Sequence, residues 1–88
     1  MNKMAYQIMW SKKAADKIEK LDEDVKSRIM KRLDVAAENP FSYVTKLKGL
    51  DFYRLRVGNY RVIMRIEGSK MIIFIINVGY RSSVYKKY

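Results

Sequence analysis

From Ala5 to Trp10 apolar and polar positions alternate, with Tyr6, Ile8 and Trp10 on one side. That period of two predicts a short strand with one buried face. The period then lengthens. Ser11 stands where a helix N-cap belongs, and Ala14, Ala15, Ile18 and Leu21 follow at helical spacing. Asp22, Glu23 and Asp24 open a second helix, because acids are favoured at the positive end of the macrodipole. Val25, Ile29, Leu33 and Ala36 then recur along one face, with Met30 and Ala37 widening the stripe. Asn39-Pro40 ends it, since the residue before proline is pushed out of helical geometry. Both stripes read as packing surfaces.

Residues 40–51 read as a loop, closed by Lys48-Gly49-Leu50-Asp51. Three strands follow, at about Phe52–Val57, Tyr60–Glu67 and Met71–Val78. Gly58-Asn59 and Gly68-Ser69 between them are two-residue hairpin signals. The order is therefore β-α-α-β-β-β, an α+β class in which two N-terminal helices cover one face of a mainly antiparallel four-stranded sheet. Residues 1–88 make one domain, because a chain of this length supports a single modest core.

The pleat assigns the faces. Tyr53, Leu55, Val57, Tyr60, Val62, Met64, Ile66, Met71, Ile73 and Ile75 share the side that should receive the helices. Arg54, Arg56, Arg61 and Arg65 fall on the other side, with Ile63, Ile72, Phe74 and Ile76 among them. A one-residue slip would exchange the two sets. In this register Arg56 lies directly opposite Arg61, an arrangement that costs stability because like charges face each other.

Charge sharpens that picture. The net charge is +10, and residues 40–88 supply most of it, with ten bases against two acids. A basic half beside a balanced helical half points to a polyanion, most simply nucleic acid. Generic solubility charge is the bland alternative, and an acidic protein partner is a third reading. Arginine is suited to bidentate phosphate contact and keeps its charge when partly desolvated. The open face thus reads as a phosphate platform, with Phe74 available to stack on a base. Lys13 and Lys17, on the helical side, are the expected bystanders. The tail VGYRSSVYKKY leaves the last strand near Gly58-Asn59, which would bring Arg81 and Tyr85 towards Arg56 and Arg61.

The composition also narrows the chemistry. There is no cysteine and no histidine, so thiolate sites, imidazole bases and the commonest metal ligand are missing. No metal-spacing motif or glycine-rich phosphate loop occurs, and no cofactor is expected. The longest apolar run, Met71 to Ile76, is far too short to span a membrane, and the N-terminus lacks the features of a signal peptide. A cytoplasmic protein without membrane contact is the expectation.

The run NP...KLKGL..YRLRVGNYRVIMRI......IINVGYRSSVY resembles the RelE/ParE superfamily of bacterial and archaeal toxins, the RelE branch in particular. The resemblance covers essentially the whole chain. It implies a messenger-RNA endonuclease that acts in the ribosomal A site and is silenced by a cognate, RelB-like antitoxin. Carried over residue by residue, it implies catalytic roles for Arg61, Arg81 and Tyr85. Arg54 and Arg56 fall where the family has basic residues on the strand before the hairpin; with Arg65, Lys48 and Phe74 they are the expected RNA contacts. The sequence departs from the pattern in three places. Arginines stand at 54 and 56 where some members have lysines. Tyr80 replaces a histidine common in relatives, and the chain ends at Tyr88 without the longer final helix of some members. A tyrosine-based route is the one left open. A ParE-like gyrase poison, sharing the fold without the nuclease residues, is the alternative within the superfamily. A non-catalytic RNA- or DNA-binding module is the alternative outside it.

Overall fold

The computed structural model describes residues 5–80. Strand β1 (Gln7–Trp10) leads into helix α1 (Lys12–Glu19) and helix α2 (Glu23–Ala36). After a 3-10 turn at Pro40–Ser42 come β2 (Thr45–Lys46), β3 (Tyr53–Val57), β4 (Tyr60–Glu67) and β5 (Ile72–Tyr80). The strands form one five-stranded sheet in the order β1-β5-β4-β3-β2. All neighbours are antiparallel except β1, which pairs parallel to β5 because α1 and α2 provide the crossover.

Local chemistry sets the helix ends. Ser11 is the N-cap of α1, and its Oγ accepts a hydrogen bond from the Ala14 N–H at 3.0 Å. The Ser11 backbone N–H also donates to the Ile75 carbonyl, which fixes the helix start against β5. Glu23 and Asp24 occupy the first turn of α2, at the dipole's positive end. Ala14 and Ile18 of α1 and Ile29, Leu33 and Ala36 of α2 are buried against Leu55, Val62, Met64, Ile73, Ile75 and Val78. Met30, expected in the stripe, is 39% exposed, so α2 buries a narrower face than its sequence suggested.

The first hairpin has the expected register. Val57 pairs with Tyr60 and Arg56 with Arg61. Gly58 has φ +58° while Asn59 keeps a negative φ, the pattern of a type II′ turn. The second turn differs. Gly68–Lys70 form a 3-10 turn and Met71 adopts the left-handed conformation at φ 54°, so Glu67 pairs with Ile72 across four residues rather than two. Two extra residues preserve parity, and Ile73 and Ile75 still face the helices. A β-bulge then intervenes: Ile63 pairs with Asn77 while Met64 pairs with Ile75, leaving Ile76 unpaired. Parity reverses beyond it, so Val78 enters the core and Asn77 and Gly79 join the arginine face. The segment expected to be a loop also contributes β2, a two-residue strand pairing with Tyr53 and Arg54.

Candidate nucleic-acid interface

The arginine face is built on β3 and β4, whose alternation puts Arg54, Arg56, Arg61 and Arg65 on the side away from the helices. Their environments diverge. Arg56 and Arg65 are exposed and Arg54 is half-buried. Arg61 is only 4% exposed, and its Nη1 donates to the Tyr60 carbonyl at 3.4 Å. A uniformly open platform of four arginines is therefore not what the chain builds. Ile63 and Asn77 on the same face are fully buried as well, so this end of the face is withdrawn from water together with Arg61.

Cross-strand partners refine the geometry. Arg61 sits between Arg56 on β3 and Gly79 on β5, which carries no side chain. Arg65 pairs in register with Phe74, which is half-buried, and approaches Asp51 at 3.8 Å. Both members of that ion pair are at least half exposed, so it contributes little to stability. Lys48 is exposed in the loop between β2 and β3. Tyr80 pairs with Tyr60 beside the Gly58-Asn59 turn, their rings edge to face at 5.3 Å. Arg81 and Tyr85 lie outside the described residues.

The family model of the ParE toxin of type II toxin–antitoxin systems matches residues 8–85. The chain belongs to the RelE/ParE family. It is a type II toxin of the RelE-like kind. Escherichia coli RelE, an mRNA interferase toxin, is 33% identical, over 96% of this chain and 94% of its own. The isolated E. coli RelE toxin shares the fold with a TM-score of 0.76 at 29% identity, over 94% of both chains. The RelE of the archaeal RelE–RelB complex from Pyrococcus horikoshii superposes with a TM-score of 0.77 at 27% identity, over 90% of this chain and 98% of that one.

Two features of the toxin were not expected from the sequence. Asn77 is fully buried, its Oδ1 accepting from Lys17 Nζ at 2.9 Å and from the Val78 N–H at 3.0 Å. Lys17 is thus tied to the arginine sheet rather than being a bystander on the helical side. The second feature is a cluster of cations on α2, formed by Arg28, Lys31 and Arg32 beyond the acids of its first turn. Among the described residues, no helix is long and apolar enough to cross a membrane.

Proposed function

We propose that this toxin is an endoribonuclease that cuts messenger RNA in the ribosomal A site, using the substrate's own 2′-hydroxyl as nucleophile. A RelB-like antitoxin holds it in check in the cytoplasm. The observation that carries this reading is the opposed Arg56–Arg61 pair in a chain 33% identical to an mRNA interferase. Two arginines held opposite each other in register repel, and a bound phosphate would offset that cost.

In the proposed reaction the 2′-oxygen attacks the adjacent phosphorus and the bond to the 5′-oxygen breaks. One product ends in a 2′,3′-cyclic phosphate and the other begins with a 5′-hydroxyl. Negative charge gathers on the phosphate oxygens, where Arg61 and Arg81 stabilise it. Arg61, withdrawn from water, acts through a lower dielectric than an exposed arginine would. Arg54 and Arg56 position the backbone, with Arg65, Lys48 and Phe74 extending the contact. Tyr85 takes the 2′-hydroxyl proton, since the chain has no histidine to do so. The ribosome supplies substrate orientation that so small a surface does not provide.

The family model bears the name of ParE, and this keeps a gyrase-poisoning reading in view. One experiment separates the possibilities. Toxin purified away from its antitoxin is added to a translating system, to naked mRNA and to a gyrase supercoiling reaction. Cleavage confined to translated mRNA is the expected result. Inhibited supercoiling without cleavage would replace this reading with the ParE one, and neither effect would leave a binding module.

A further inference from the structure

A groove of about 520 Å³ lies between α2 and the β3–β4 turn, lined by Arg28, Lys31, Arg32, Arg56, Val57 and Gly58. Four of those six residues are cations. On the helix, Arg28, Lys31 and Arg32 follow at i, i+3 and i+4, so they share one flank beside the buried stripe of Ile29, Leu33 and Ala36. Gly58 brings the turn close: a Cβ there would lie 3.5 Å from Arg28 Nη1. The guanidinium therefore rests against the turn backbone.

Among the described residues, nothing anionic lines this groove. Asp24, one turn before Arg28, makes no ion pair with it, and the ion pairs among the described residues lie elsewhere. Arg32 stands 5.8 Å above the ring of Tyr43, which is 43% exposed. The groove thus has an aromatic rim as well as a cationic wall. The short β2 pairs only with Tyr53 and Arg54, so the edge of β3 beside Arg56 and Val57 has no strand neighbour among the described residues. Arg56 belongs to both surfaces, since it lines the groove and faces Arg61 across the sheet.

We propose that this groove is a second phosphodiester site, which carries an RNA strand from the arginine face around the edge of β3 and onto α2. The proposal rests on the RNA-cleaving reading above and extends its substrate contact to a helix that the sequence reading placed in the packing layer. Cations without acidic partners favour a backbone of regularly spaced phosphates, and Tyr43 offers a stacking face for a base. The strand's source is either the message or ribosomal RNA, which present the same phosphate chemistry.

The test uses the full chain with the double substitution Arg28→Glu and Arg32→Glu. The charge-matched control is Lys20→Glu with Lys70→Glu, at exposed positions away from the groove. Binding is measured to a single-stranded 12-nucleotide RNA and to ribosomes carrying a 2′-O-methylated message, each across a salt series. The α2 variant should lose at least about tenfold in affinity for one or both probes. Its log–log salt slope should fall by roughly 1.4, as about 0.7 per lost phosphate contact predicts. Loss on the free RNA assigns the groove to the message, and loss only on ribosomes assigns it to ribosomal RNA. If the wild type binds RNA and the α2 variant matches both it and the control, the second site is refuted while the cleavage reading stands. Loss of antitoxin binding alone, with RNA binding intact, would make the groove a protein-docking surface and refute the proposal equally. A wild type that binds neither probe would bring down the cleavage reading itself. Should the charge reversal impair folding by circular dichroism, Arg28→Gln with Arg32→Gln reads the same slope in a milder form.

Discussion

Replacing Arg56 by glutamate should stabilise the fold while weakening RNA binding. In a two-residue hairpin the residues flanking the turn form the hydrogen-bonded pair, here Val57 and Tyr60. Arg56 and Arg61 therefore form the next, non-hydrogen-bonded pair, where side chains lie closest. Opposite charges at such a position contribute roughly 0.2–1 kcal/mol, and like charges cost a similar amount. Arg56 is exposed, so solvent keeps the swing near the middle of the combined range, about 1 kcal/mol. Relief from Arg28, Lys31 and Arg32 across the groove acts in the same direction. For a chain of this size, 1 kcal/mol raises the melting temperature by about 4–8 °C. Arg56→Gln removes repulsion without adding attraction and should gain about half as much. Urea unfolding in low salt and in 1 M salt checks the cause, because the gain should largely vanish when the Debye length falls to about 3 Å. A glutamate variant less stable than the glutamine one in low salt would refute the reasoning. So would RNA affinity equal to wild type.

Three further outcomes follow from the same geometry. Leu33→Ala removes a fully buried side chain between α2 and the sheet and should cost about 2–5 kcal/mol in urea unfolding. Ser11→Ala deletes the cap that accepts from Ala14 and should cost about 1 kcal/mol by the same measurement, with Ser11→Thr largely preserving stability. Tyr85→Phe keeps the ring and removes the hydroxyl; it should slow cleavage by roughly 10²-fold while ribosome binding persists, as loss of general acid–base help predicts. Mapping of product ends in that assay should find 2′,3′-cyclic phosphates, and 3′-hydroxyl ends would exclude attack by the 2′-oxygen.

The sequence was most informative where a local rule left one solution. Gly58-Asn59 between alternating strands specified the first hairpin, and with it the Arg56–Arg61 pairing. The second turn was misread by two residues, because Met71 takes a left-handed conformation that its side chain does not advertise. The face assignment survived only because two residues conserve parity. Met71 to Ile76 is uniformly apolar, so it carried no alternation that could have located the bulge at Ile76. The two-residue β2 lies below the length at which any period exists. Burial of Arg61 was not legible, because a sheet face without helices is expected to meet water.

The bulge is also what ties the helices to the arginine sheet. Had β5 continued without it, Asn77 would have turned into the core and Val78 would have joined Arg61. With Ile76 looped out, Asn77 comes opposite Ile63 and Gly79 opposite Arg61. Asn77 is then held from two sides, by Lys17 of α1 and by the Val78 amide, while Ser11 at the start of α1 donates to the Ile76 carbonyl at 3.3 Å. Helix α1 therefore grips the irregular stretch of β5 at both of its ends. Gly79 therefore places no side chain opposite Arg61, and Arg56 stands on its other side. A phosphate reaching this pair would offset the repulsion between the two strands' charges, which an apolar group would not. Asn77, buried on this face, thus fixes the strand that sets Gly79 opposite Arg61.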